Sequence, residues 1–208
     1  MTDAPTKRPD AATRRAQLLD AADTVFATHG VNAPLELVVE HANVGRATLY
    51  RQFPDRHAIL LALMERSADR LHAQAQALRE QPDAFFQLLH YLSDRIVRSP
   101  SLSDYWRTAK LDDPRVNAVR QRVWEAFGPA LQRGKDCGLI RANIQAQDQD
   151  ISLLSGMLGA ALRGHTDAER RRLARQALGI VLRGLQPDAA DAAQARPLPT
   201  AAPALHAA

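Results

Sequence analysis

Apolar residues recur along this chain at spacings of three and four, almost never in alternation, and that period predicts helices from end to end. Leu18, Ala22, Val25 and Phe26 fall on one face of a helix from Thr13 to His29, which Gly30 stops. Leu35, Val38, Val39 and Ala42, at i, i+3, i+4 and i+7, mark a second, short helix. Leu49 and Phe53, four apart, pack inward with Val44 from a third, Arg46 to Gln52. Between the second and third lies only Asn43-Val44-Gly45. Asn tolerates the left-handed conformation that ends a helix, and Gly serves as the next N-cap. Two short amphipathic helices joined by such a turn are a helix-turn-helix.

The pattern continues beyond Phe53. Pro54-Asp55 reads as a helix start, and no Gly or Pro follows until Pro82, which predicts one long helix spanning on the order of 39 Å at about 1.5 Å per residue. Further helices are expected over Asp83–Arg98, Leu102–Lys110 and Pro114–Gly134, the last kinked by Pro129. Lys135–Asp148 reads as a connection. Two helices close the pattern, Gln149–Arg163 and Asp167–Leu185, each apolar on more than one side. Ile151, Leu154, Leu158 and Leu162 form a stripe on the first, and Leu178, Val181, Leu182 and Leu185 gather on the second. One face of each pair is expected to pack on its own subunit and the other on a partner, giving a homodimer.

The two ends lack this periodicity. Residues 1–12 carry Pro5 and Pro9 and read as a flexible arm. From Pro187 onward, ten alanines and four prolines in 22 residues read as a disordered tail. The expected fold is all-α with about nine helices, organised as an arm (1–12), a helix-turn-helix unit (13–54), a larger helical region (55–186) and the tail (187–208).

Composition narrows the class. A chain of 208 residues, 46% hydrophobic, buries a substantial core. No apolar run approaches the ~18 residues of a membrane span, and the first 17 residues hold no secretion-signal pattern, so a cytoplasmic location with no membrane partner is expected. The single cysteine, Cys137, excludes an internal disulfide and a cysteine-cluster metal site. Net charge is +4, yet residues 1–60 hold seven basic and seven acidic side chains, so a nucleic-acid reading rests on where the charges sit. They sit at Lys7, Arg8, Arg14 and Arg15, and at Arg46, Arg51 and Arg56. Arg46, Ala47, Tyr50 and Arg51 share the outer side of the third helix. An arginine fork matches guanine O6 and N7, and an alanine touches a thymine methyl, so this face has the chemistry of a major-groove reader.

The stretch Ala42-Asn43-Val44-Gly45-Arg46-Ala47-Thr48-Leu49-Tyr50-Arg51-Gln52-Phe53 resembles the signature of the TetR family of bacterial transcriptional regulators. The likeness reaches back through Leu18, Ala22, Phe26 and Gly30 and covers roughly residues 14–64. It implies an N-terminal three-helix DNA-binding domain joined by a long helix to a ligand-binding and dimerising one. It also implies a repressor that holds a near-palindromic double-stranded operator as a dimer and answers to a small-molecule effector. By resemblance, Thr48, Tyr50, Gln52 and Arg56 contact the DNA backbone, while Arg46, Ala47 and Arg51 face bases. Pro34, Glu36 and Gly45 depart from the family pattern at positions that often bind phosphate.

No nucleophile with a base, paired carboxylates, metal cluster or phosphate loop stands out, so neither an enzyme nor a cofactor or metal is expected. His90 and Asp94 share a helix face, as structural i, i+4 pairs do. His90, Tyr91, Trp106, Trp124, Phe127 and Met157 supply the aromatic, polar and soft side chains of a candidate ligand pocket. The competing readings are an all-helical protein–protein adaptor, which would not bind duplex DNA, and a redox sensor acting through Cys137.

Overall fold

Four of the helices begin where a side chain, Asp10, Asp55, Asp113 or Thr166, takes up an unpaired N–H group. The structure is a computed structural model describing residues 10–109, 113–144, 156, 159 and 166–187. Among these residues eight helices and no strands occur. Helix α1 (Ala11–His29) starts two residues earlier than expected because Asp10 Oδ1 accepts the Thr13 N–H at 2.7 Å. α2 is Leu35–Ala42 and α3 is Arg46–Gln52. α4 (Arg56–Ala77) is capped by Asp55, which accepts the Ala58 N–H at 2.7 Å. It ends at Leu78, short of the expected stop before Pro82.

α5 spans Ala84–Arg98 and α6 Pro100–Thr108. Pro100 stands in the first turn of α6, where a missing N–H costs nothing, so α6 starts before Leu102. α7 (Pro114–Asp136) is capped by Asp113 and runs through Pro129 as one helix. Both Pro129 and Glu125, whose carbonyl loses its partner, are exposed, so water can serve that carbonyl. α8 (Asp167–Leu185) opens with a reciprocal cap: Glu169 N–H donates to Thr166 Oγ1 at 3.2 Å, and Thr166 N–H to Glu169 Oε2 at 3.0 Å. The expected helix over 149–163 lies outside the described residues except for Gly156 and Gly159, both helical. Residues 1–9 of the arm and 188–208 of the tail lie outside them as well.

Two apolar clusters hold the helices. In the first, Leu18, Ala22 and Phe26 of α1 meet Val38, Leu49 and Phe53 of the helix-turn-helix and Ile59 and Leu63 of α4. The same cluster continues into Leu102 of α6 and Val116 and Val119 of α7, so the apolar core does not stop at the end of the motif. The second joins Leu71 of α4, Phe85, Leu88 and Leu89 of α5, and Phe127 and Leu131 of α7, with Phe85 and Phe127 edge to face at 5.7 Å. α8 packs along α5. Leu178, Val181 and Leu185, which the sequence placed at a subunit interface, are buried in this second cluster and spent on the chain's own core. Leu182 is half-buried beside them, and Ile180 stands exposed on the far side of the helix.

After α7 the chain folds back along residues 137–144. Gly134 is buried where Ile140 folds back over it, and a Cβ there would lie 2.5 Å from Ile140 Cδ1, so Ile140 would have to shift to admit a side chain. The strap is then latched to the end of α8 by Arg141 N–H donating to the Leu185 carbonyl at 3.0 Å.

Candidate nucleic-acid interface

The turn that aims α3 rests on Asn43, at φ 51° and ψ 48°, the one non-glycine residue in the left-handed region among those described. Its N–H and that of Val44 return to the last carbonyls of α2, and Gly45 then opens α3, its carbonyl accepting the Thr48 N–H at 2.8 Å. Leu49 and Phe53 point into the core and are almost fully buried. That fixes the rotation of α3 and turns Arg46, Ala47, Tyr50 and Arg51 outward, where all four are exposed. Tyr50 is 46% exposed, a large aromatic left in water by a helix that buries its neighbours.

The end of α3 is held from α1. Arg15 lies 4.3 Å above the Phe53 ring and donates from Nη1 to the Gln52 carbonyl at 3.3 Å, so the sequence's basic cluster before Leu18 supplies a brace for the recognition helix. Its signal in the sequence was an arginine three residues ahead of a buried leucine. Arg46 reaches across to Glu36 of α2 in an ion pair with both side chains largely exposed. Such a pair is weak in water, so Arg46 can exchange Glu36 for a stronger anion.

Arg56 sits differently from Arg46 and Arg51. It is half-buried, donates from Nη1 to the Val31 carbonyl at 2.6 Å and lies 5.7 Å from the Phe26 ring, so its guanidinium ties α4 to the loop after α1. Thr48 and Gln52 are half-buried at the margins of the outward face.

Behind the motif, the first turn of α4 is tied to two distant helices. His57 Nδ1 is 2.9 Å from the Tyr105 hydroxyl of α6, and His57 Nε2 is 2.7 Å from Asp113 Oδ2, the N-cap of α7. The Arg115 N–H and guanidinium, followed by His57, hold the Asp113 carboxyl down to about 2. Burial, then the nearby Asp113 charge, pushes the Tyr105 hydroxyl above its ordinary value. Neither residue was singled out from the sequence, where the three lie 48 and 56 positions apart.

A cavity of about 360 Å³ lies deeper, between α4, α5, α6 and α7. Tyr91, Trp106, Trp124 and Phe127 of the expected ligand set line it. His90 is exposed and does not, and Met157 lies outside the described residues. Ser67, Arg95 and Arg120 line it without having been anticipated, and Gly156 and Gly159 complete the described wall. Arg120 donates to the Trp106 and Ala109 carbonyls at 2.6 and 3.4 Å, closing the end of α6. Cys137 is exposed at the C-cap of α7.

The sequence profile of the bacterial regulatory proteins, tetR family, matches residues 18–63, the segment that builds the motif and the start of α4. The whole fold agrees. A TetR transcriptional regulator from Streptomyces coelicolor superposes at a TM-score of 0.63 with 27% identity, over 84% of this chain and 99% of that one. Residues 18–63 match the tetR family of bacterial regulatory proteins, and the chain shares the fold of its regulators. It is a DNA-binding transcriptional regulator. Two further structures share the fold. One is a TetR transcription regulatory protein from Mycobacterium vanbaalenii (TM-score 0.60, 23% identity, 86% of this chain and 98% of that one). The other is RolR in complex with its ligand resorcinol (0.55, 23%, 91% and 97%). Among curated protein sequences none matches. Among the described residues no helix is long and apolar enough to cross a membrane.

Proposed function

We propose that this chain is a TetR-family regulator, a cytoplasmic dimeric repressor that leaves a near-palindromic operator when a small molecule enters the cavity. In this reading residues 13–54 read DNA and residues 55–186 bind the effector and dimerise. One observation carries the proposal: α6 serves both sites. Leu102, Ser103 and Trp106 line the cavity, while Tyr105 on the same helix holds His57 in the first turn of α4. A ligand that displaces α6 therefore acts on the helix that carries the motif. Effector control requires different affinities for the two arrangements of these helices, and a shared helix supplies a structural source for that difference. RolR, of the same fold, binds resorcinol, so an organic molecule of modest size is within what the architecture takes.

Arg46, Ala47 and Arg51 are assigned to base edges, and Thr48, Tyr50 and Gln52 to the backbone. Arg56, engaged with the Val31 carbonyl, acts on DNA chiefly by holding the motif to α4. The partner-facing side of α8 runs through Ile180, because Leu178, Val181 and Leu185 are already buried and Leu182 packs beside them. Ile151, Leu154, Leu158 and Leu162 belong to the same proposed interface and lie outside the described residues. Ile180→Glu should give monomers in sedimentation and lose the two-half-site footprint, whose centres lie ~34–36 Å or a multiple apart. A dimeric Ile180→Glu protein would move the interface elsewhere.

A further inference from the structure

The cavity's charge is one-sided. Its apolar wall comes from Leu71, Ile96, Val123 and Phe127, with Trp106 and Trp124 adding two indoles. Ser67, Ser99 and Ser103 add hydroxyls, and no acidic side chain is among the described lining residues. Two arginines are. Arg120 is occupied by the two carbonyls at the end of α6. The guanidinium of Arg95, half-buried on α5 one turn beyond Tyr91, makes no hydrogen bond and no ion pair with any described residue. Three other partly buried guanidiniums are engaged: Arg66 pairs with Asp20 and Asp23, Arg56 with the Val31 carbonyl, and Arg15 with the Gln52 carbonyl and the Phe53 ring, while Arg14 and Arg133, which make no such bond among the described residues, do not line the cavity. A guanidinium withdrawn partly from water without a partner is costly, and so is an anion in an apolar site. Each relieves the other when they meet.

We infer that the cavity takes an apolar carboxylate, with its carboxylate on Arg95 and its hydrocarbon or aromatic body against Trp106, Trp124 and Phe127. This rests on the proposal that the cavity is the effector site, and deepens it by naming the effector's class. The planar fork of Arg95 suits a carboxylate in two parallel hydrogen bonds. Ser99 and Ser103 are less free to serve it: Ser99 Oγ donates to Asp23 Oδ1 at 3.3 Å, and Ser103 Oγ to the Ser99 carbonyl at 2.9 Å. The cavity volume sits at the small end of the ~300–1,000 Å³ usual for ligand sites, which fits a compact acid better than a long conjugated one.

The test compares three nearly isosteric probes, 4-phenylbutyrate, its neutral amide and 4-phenylbutylamine, titrated into the full-length protein with the fluorescence of Trp106 and Trp124 as readout. The acid is expected to bind about tenfold or more tightly than the amide, the scale of a charge-assisted hydrogen bond, and the amine weakest. Arg95→Gln should bring the acid down to the amide while leaving amide binding and the thermal melt unchanged. Arg95→Lys should keep part of the preference. An amide that binds as well as the acid, a preference that survives Arg95→Gln, or no binding by any of the three overturns the inference. Operator affinity is read separately. Arg95-dependent binding of the acid that leaves operator affinity unaltered keeps the carboxylate site and removes the effector reading.

Discussion

The recognition face and the cavity wall both set arginines beside aromatic rings, yet they are built in opposite ways. On α3, Arg46, Tyr50 and Arg51 are exposed because Leu49 and Phe53, within the same seven or eight residues, take the buried side. Around the cavity, Ser67, Arg95, Trp106 and Arg120 come from four helices and meet only because two apolar clusters pack those helices together. The first surface is a property of a short stretch of sequence. The second is a property of the whole fold. Substitutions should therefore separate function from stability at α3 and damage both together at the cavity.

The largest expected effect sharpens that contrast. Phe127→Ala removes a fully buried ring that lines the cavity and packs edge to face on Phe85, and should cost ~3–5 kcal/mol in urea unfolding. Tyr50→Ala should change unfolding by no more than ~0.5 kcal/mol while weakening DNA binding, because Tyr50 is exposed. Equal losses of stability in the two variants would erase the distinction. Next in size, Arg51→Ala or Arg46→Ala should reduce discrimination between operator and mismatched sites by ~1–3 kcal/mol per lost base contact. Arg56→Ala should instead lower the unfolding midpoint, since the Val31 carbonyl loses its donor at 2.6 Å. Competition binding with single-base operator variants, run beside thermal melts, tells these apart.

What was legible in the sequence follows the same division. The helix-turn-helix could be read because its period, its turn at Asn43 and its outward arginines are all local. Asp10, Pro100 and Asp136 show where local reading slipped: a cap, a first-turn proline and a run-on past Gly134 each moved a helix end by two residues. The side-chain types of the cavity were legible, with Tyr91, Trp106, Trp124 and Phe127 brought together, but His90 fell on the exposed side of α5. No periodicity distinguishes an arginine in water from Arg95 at a cavity wall. Nor does spacing reveal that His57 joins Tyr105 and Asp113. On α8 the strongest apolar stripe went to the subunit's own core, since a stripe states that a face is buried without stating against which chain.

Two smaller effects probe the edges of the comparison. Glu36→Gln frees Arg46 from its exposed partner and should tighten DNA binding by no more than ~1 kcal/mol, most at low salt, as filter binding at two ionic strengths would record. Asp113 tests the tie behind the motif. Its carboxyl is held down to about 2 from an ordinary 3.8, so its bonds stabilise the fold fully above about pH 4 and are lost as pH falls toward 2. The difference in melting temperature between the wild type and Asp113→Asn should be constant above pH 4 and shrink below it. A difference that grows on acidification would reverse the sign.

The coupling of cavity to DNA through α6 and His57 is tested most directly by measuring operator affinity with the cavity filled. Labelled operator is titrated with protein in the presence of a ligand that saturates the change in Trp106 and Trp124 fluorescence, in the wild type and in His57→Phe. The wild type should bind operator ~5–150-fold more weakly when liganded, whereas His57→Phe should show the same fluorescence change with a smaller loss of affinity. A saturated cavity that leaves wild-type operator affinity unchanged, or a His57→Phe protein as responsive as the wild type, would contradict it.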